Sequence, residues 1–308
     1  MSAFHPDLAA ARYLPKFSWG PRLVRLLSTA KPKPLDPGPD VRVDEVVLPG
    51  RDGAAEVGVR LFRPASSSGP IPLLLWIHGG GLIFGSPEQD DRTNVDFVRS
   101  LGIAVAAVRY RLAPAHPAPA AVEDAHAALA GLAARADELG IDATRIAIGG
   151  ASAGGGIAAA LAQLALDRGE VSPVFQLLVY PMLDDRTVLR RDIDTTNVRV
   201  WTPKSNRYGW SAYLGVEPGS AVVPPYASAA RRAALGGLPS AWIGVGTLDL
   251  FFDEDLAYAE RLADAGVDCS VVTVPGAFHG FDALFRNKRV TREFWQRQAD
   301  ALRGALLG

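Results

Sequence analysis

Between residues 71 and 110 two stretches, IPLLLWI and IAVAAVRY, are apolar almost without interruption, whereas VRVDEVVLP and AEVGVRLFRP upstream alternate apolar and polar positions. Continuous apolar runs suit strands covered on both faces, and alternation suits strands with one face in water. RDG between the alternating runs reads as a turn, so the pair predicts an antiparallel entry into a sheet. The period then lengthens. A helical run over about residues 119–138 leads to strand RIAIGG, a helix from Ser152 to about residue 167, and strand VFQLLVYP. AWIGVGT, a helix over about 252–265, CSVVTVP and a closing helix over about 290–305 keep the same rhythm. Alternation of this kind predicts an α/β sheet with helices on both faces.

Two regions fall outside that rhythm. Residues 8–30 mix apolar and basic positions at helical spacing until KPKPLDPGPD, whose prolines remove donors and stop a helix. Residues 183–220 carry charge and aromatics without clear strands. The reading is a core over 41–182 and 221–308, with residues 1–40 and the inserted segment 183–220 forming a small helical cap over it.

Composition narrows the function classes. With 308 residues the chain can close a sizeable core. Thirty-two basic against 33 acidic residues leave a net charge of −1, and no basic run interleaves with aromatics, which argues against a nucleic-acid surface. A single cysteine, Cys269, excludes an intrachain disulfide framework and suits a reducing cytoplasm. The first twenty residues lack a basic segment followed by an apolar one, and no stretch has the length to span a bilayer, so no stable membrane insertion is expected.

The chemistry concentrates around AIGGASAGGG at residues 147–156. Gly150-Ala151-Ser152-Ala153-Gly154 follows a predicted strand and opens a predicted helix, the context in which G-x-S-x-G forms a tight turn that exposes the serine oxygen. Close packing of small residues would produce the same pentapeptide, so partners have to decide. His78-Gly79-Gly80-Gly81 follows IPLLLWI. Its glycines can turn backbone N–H groups toward a developing oxyanion, each worth about 3 kcal/mol. Gly79 and Gly80 are the donor candidates, joined by the N–H of Ala153 at the helix start, with His78 and Gly81 as support. An acid and a base are expected later in the chain. Asp249 follows AWIGVGT and His279 follows CSVVTVP, both beyond carboxyl ends of strands, where side chains converge. Asp253 and Glu254 are alternatives for the acid. His5, His116 and His126 are scattered without a metal-binding spacing, and no dinucleotide fingerprint is present, so neither metal nor cofactor is expected.

Together these segments resemble the hormone-sensitive-lipase-like esterases of the α/β-hydrolase superfamily, the branch with an HGGG loop ahead of the elbow. Tyr110 to Pro114 with His116-Pro117 is similar to that family's YRLAPEHPFPA segment, continued by Glu123-Asp124. Tyr180-Pro181 matches its YP, Asp249 with Asp253-Glu254 its D-x-L-x-D-E block, and His279-Gly280-Phe281 its HGF ending. The resemblance runs from about residue 40 to the C-terminus and implies an eight-stranded, mostly parallel sheet under a helical cap. It also implies a cofactor-free serine carboxylesterase for short- to medium-chain acyl esters, with Ser152, Asp249 and His279 catalytic, and a homodimer through a sheet edge. Phe17, Phe84, Trp210 and Tyr213 are the candidates for the substrate pocket. The family commonly has aspartate before the nucleophile, where this chain has Ala151. Two other readings use the same scaffold: an amide or formamide hydrolase, and a non-catalytic ligand receptor.

Overall fold

A computed structural model describes residues 3–21, 24, 33 and 35–308. Eight strands form one sheet: β1 (Val41–Leu48), β2 (Val57–Pro64), β3 (Ile71–Ile77), β4 (Ala104–Arg109), β5 (Ile141–Ala151), β6 (Phe175–Val179), β7 (Ser240–Gly246) and β8 (Cys269–Val274). Their spatial order is β1-β2-β4-β3-β5-β6-β7-β8. β2 runs antiparallel to both β1 and β4, and every pairing from β4 to β8 is parallel. The antiparallel entry and the parallel remainder follow the two hydrophobic patterns. β1 keeps exposed positions, while β3 and β6 are buried along almost their whole length.

The helices are α1 (Asp91–Leu101), α2 (Ala120–Ala134), α3 (Ala136–Leu139), α4 (Ala153–Arg168), α5 (Pro203–Leu214), α6 (Phe252–Asp264), α7 (Phe281–Leu284) and α8 (Arg289–Leu307). Two apolar clusters lie on opposite faces of the sheet, one holding α2 and α4 residues such as Leu129, Ile157 and Leu161, the other α1 and α8 residues such as Phe97, Phe294 and Leu302. Alternation along the strands assigns the faces. Ile146 and Ile148 of β5 join the first cluster, whereas Ala147 and Ala151 pack with the second.

Several boundaries differ from expectation. The helix expected over about 119–138 breaks at Arg135 into α2 and α3, and β5 starts at Ile141, four residues before RIAIGG. In the range expected to be helical, residues 8–30, the chain forms a 3-10 helix, Pro6–Tyr13, which Leu14 leaves with extended backbone, and is helical again at Pro21 and Val24; residues 22, 23 and 25–32 lie outside the described residues. Helix α1 has no counterpart in the periodicity reading. Its buried face includes Asp91 and Asn94 as well as Val95, Phe97, Val98 and Leu101, so polar residues occupy core positions. Asp91 is accommodated by Arg60, itself buried on β2, through contacts of 3.0 and 3.2 Å. Between β6 and β7 the chain leaves the sheet and forms a 3-10 turn at Asp185–Leu189 and helix α5. Among the described residues, no helix is long and apolar enough to cross a membrane.

Candidate active site

β5 delivers Ser152 between the carboxyl end of the sheet and the start of α4. Its backbone sits at φ 59° and ψ −121°, a conformation that L-residues avoid and that costs on the order of 1–3 kcal/mol unless the surroundings hold it. Three backbone bonds hold it: Ser152 N–H donates to Val179 at 2.9 Å, and its carbonyl accepts from Met182 at 2.9 Å and Gly156 at 3.0 Å. The flanking glycines are a steric requirement. A Cβ on Gly154 would lie 2.0 Å from the Ile77 carbonyl oxygen, and one on Gly150 would lie 2.5 Å from the same atom and from the Gly154 carbonyl carbon. All of these are backbone atoms with no room to retreat.

Above the sheet the residues named from sequence converge. Ser152 Oγ lies 2.8 Å from His279 Nε2, and His279 Nδ1 lies 2.8 Å from Asp249 Oδ2. The other oxygen, Asp249 Oδ1, accepts from the Phe251 N–H at 3.0 Å. A carboxylate oxygen can only accept, so Nδ1 carries the proton and Nε2 presents its lone pair to the serine hydroxyl. Ser152, Asp249 and His279 are 7%, 4% and 5% exposed, so the chain of hydrogen bonds runs through protein rather than water. Two rings clamp the imidazole edge-on, Tyr180 with centroids 4.8 Å apart and Phe251 at 5.2 Å.

Of the alternative acids, neither joins His279. Asp253 pairs with Arg190 at 2.9 Å. Glu254 is buried and accepts from the backbone of Leu183 at 2.7 Å and Asp184 at 3.1 Å and from the Thr187 hydroxyl, which ties the chain leaving β6 to α6.

The HGGG loop lies against the elbow, where a Cβ on Gly79 would come within 3.4 Å of Ser152 Cβ. Among the described residues, the N–H groups of Gly79 and Gly80 donate to no protein acceptor. Ala153 is the first residue of α4, where N–H groups have no partner within the helix and the helix dipole is positive. His78 supports this loop: its Nδ1 donates to the Gly79 carbonyl at 2.8 Å, and burial pushes its pKa down to about 4, so it stays neutral. Tyr110 stacks on the His78 ring with centroids 4.2 Å apart and donates its hydroxyl to the His78 carbonyl at 2.9 Å.

The aromatic candidates separate into two groups. Trp210 and Tyr213, both on α5 and almost fully buried, pack beside Ala153 with Leu82, Ile157 and Met182 and leave no room there for a water molecule. Phe84 and Phe17 are linked through Trp19, whose ring centroid lies 4.7 Å from Phe84 and 4.8 Å from Phe17; Phe17 is the outer, 41% exposed end. Trp19 and Trp201 were not singled out from sequence. Trp201 covers Gly81 so closely that a Cβ there would lie 1.9 Å from its ring. The N-terminal segment is tied to this cover, with Trp19 Nε1 donating to the Val200 carbonyl at 3.0 Å, Trp19 N–H donating to Ser205 Oγ at 2.9 Å, and Ser18 and Thr202 hydroxyls 2.9 Å apart. The WTP sequence at 201–203 signals a helix start through Thr202 and Pro203, but nothing local in it points to Gly81.

Comparisons with known proteins agree with this fold. Residues 74–283 match a family model described as an alpha/beta hydrolase fold. The chain is 35% identical to carboxylesterase NlhH of Mycobacterium tuberculosis over 255 residues, covering 79% of this chain and 76% of that protein. It is 37% identical to carboxylic ester hydrolase LipN of the same organism over 258 residues, covering 81% and 67%. Among solved structures it is similar to a bacterial heroin esterase, with a TM-score of 0.89 and 38% identity over 99% of this chain and 98% of that one. Esterase LipW from Mycobacterium marinum has a TM-score of 0.85 and 31% identity, covering 98% and 96%.

Proposed function

The chain belongs to the α/β-hydrolase family, and from that premise we propose that Ser152 is the nucleophile, His279 the general base and Asp249 the acid that orients it. The protein is a carboxylic ester hydrolase of the hormone-sensitive-lipase-like branch. The observation that carries the residue roles is the continuous 2.8 Å and 2.8 Å chain from Ser152 Oγ through the imidazole to Asp249.

In this mechanism His279 Nε2 takes the serine proton as Oγ bonds to the ester carbonyl carbon. The carbonyl electron pair moves onto oxygen, where the N–H groups of Gly79, Gly80 and Ala153 receive it. The tetrahedral species collapses, the C–O bond to the alcohol breaks, and the imidazolium returns the proton to the departing alkoxide. Water then repeats the sequence on the acyl-serine, releasing the carboxylic acid and restoring Ser152. Asp249 keeps the imidazole in the tautomer that each half-reaction needs.

The described parts of segments 1–40 and 183–220 act as a cap, with Trp19 and Trp201 excluding water from the nucleophile. Trp210 and Tyr213 close off the space beside Ala153 and so favour short acyl chains. A serine-directed phosphonate tests the nucleophile: one equivalent should attach at Ser152 and abolish hydrolysis of p-nitrophenyl acetate. Folded protein that hydrolyses the ester without Ser152 labelling would sink the assignment. Across acetate, butyrate and octanoate esters, kcat/KM should fall with length, and Trp210→Ala should flatten that fall; a variant that keeps the native chain-length profile removes Trp210 from that role.

A further inference from the structure

Ala151, immediately before the nucleophile, ends β5 on the face that carries α1 and α8. There it forms part of the wall of a cleft of about 420 Å³ that the ester mechanism leaves unused. Trp76, Val179 and Tyr180 form its buried floor. Two of the three carboxyl groups that line it are each tied to a floor side chain. Asp90 accepts from Trp76 Nε1 at 2.8 Å, and Asp282 accepts from the Tyr180 hydroxyl at 2.7 Å. Both carboxyls resist ionisation. Desolvation raises Asp90 to about 6, and it raises Asp282 as well.

Helix α8 supplies a second, independent observation. Thr291 is 6% exposed and lines the cleft, yet its Oγ1 has no hydrogen-bond partner. Trp295 Nε1, also on the lining, is buried and without a partner. Buried polar atoms are paired as a rule, so two orphans within the wall of one cleft mark a place short of polar partners. The rim has the opposite charge to the interior. Arg92, Arg286 and Arg292 stand there, with Asp96 as the acidic residue among them.

This layering selects a ligand chemistry. An ammonium gains from the half-buried carboxyls of Asp90 and Asp282. A bare cation is opposed by the arginine rim, whereas a carboxylate at the other end of the same molecule is attracted by it. We propose that the cleft binds a small zwitterion, its ammonium against Asp90 and Asp282 and its carboxylate at Arg286 and Arg292, at a site separate from Ser152. Alanine at position 151 keeps this space open, because the side chain of any larger residue would project into it.

Calorimetric titration of the intact protein with 5-aminopentanoate, pentylamine and pentanoate separates the contributions. The zwitterion should bind at least about tenfold more tightly than either single-charge analogue, the scale of one charge-assisted hydrogen bond. Asp90→Asn should weaken the zwitterion and the amine together. Arg292→Gln, at an exposed rim position, should weaken the zwitterion and, by relieving repulsion, slightly strengthen the amine. Protein labelled at Ser152 by the phosphonate should bind as the unlabelled protein does. Equal affinity for all three probes, no measurable zwitterion binding, indifference to Arg292→Gln, or loss of binding on labelling would each overturn the proposal. Failure of Ser152 to label bears on the ester mechanism alone, since the titration does not depend on turnover.

Discussion

Replacing Asp249 by asparagine changes one atom, and the surrounding hydrogen bonds determine what that atom does. Asp249 Oδ1 accepts from the Phe251 N–H at 3.0 Å while Oδ2 faces His279 Nδ1 at 2.8 Å. An asparagine oxygen can satisfy only one of these. If the oxygen faced His279, the amide NH2 would oppose the Phe251 N–H, donor against donor in a buried pocket. The favoured orientation keeps the oxygen on Phe251 and turns the NH2 toward Nδ1, which forces the imidazole proton onto Nε2. That nitrogen then has no lone pair for Ser152 Oγ. Loss of one ordinary hydrogen bond is worth about 1 kcal/mol, or roughly fivefold in rate. The wrong tautomer removes the general base and lowers kcat about ten-thousand-fold, equivalent to about 5.4 kcal/mol. Steady-state hydrolysis of p-nitrophenyl acetate by Asp249→Asn separates the two, with thermal unfolding to confirm that the variant is folded. A folded variant whose kcat falls less than about tenfold would refute the orientation argument.

Two further perturbations test the elbow and the buried charge. Gly154→Ala places a Cβ 2.0 Å from the Ile77 carbonyl oxygen and 2.6 Å from that of His78, so the strand-to-helix turn must open. It should lose more than about 4 kcal/mol of stability or fail to fold, and native-like melting with native kcat/KM would contradict the steric reading. Asp255 is fully buried with neither carboxyl oxygen paired, and desolvation, reinforced by Glu254 and Asp249, raises it well above its ordinary 3.8. The unfolded chain therefore releases this proton first as pH rises from about 4, and the folded state retains it. This group's contribution to stability accordingly falls with pH above that point, by up to about 1.4 kcal/mol per pH unit. Asp255→Asn should flatten the fall seen in urea unfolding between pH 4 and the folded-state pKa; identical slopes in the two proteins would show that Asp255 ionises freely in the fold.

The elements most legible in the chain are those whose burial is decided by their own pattern. IPLLLWI is β3 to the residue, because a strand covered on both faces must be apolar throughout. Helix α1 is the opposite case. DRTNVDFVRSL reads as a polar segment until the buried Arg60 on β2 is known to receive Asp91, and that partner lies 31 residues away. Similarly, GGASAG could be read as an elbow because turn sterics are local, and the order serine, acid, base narrowed the remaining site. The choice between Asp249, Asp253 and Glu254 was not local. Three carboxylates within six positions look alike along the chain, and only the packing of α6 turns Glu254 toward the backbone at Leu183 and Asp253 toward Arg190.

Sequence by itself determined the order of the eight strands along the chain, the sharp turn at Ser152 and the residue types available for acyl transfer. Each of these depends on the sterics and hydrophobicity of a few neighbouring positions. The tertiary structure decided which groups meet: Ser152 and His279 across 127 positions, Trp201 over Gly81, and the acidic cleft behind Ala151. Such contacts depend on how whole elements cross and pack, and a one-dimensional pattern specifies which face of an element is buried without specifying what covers it.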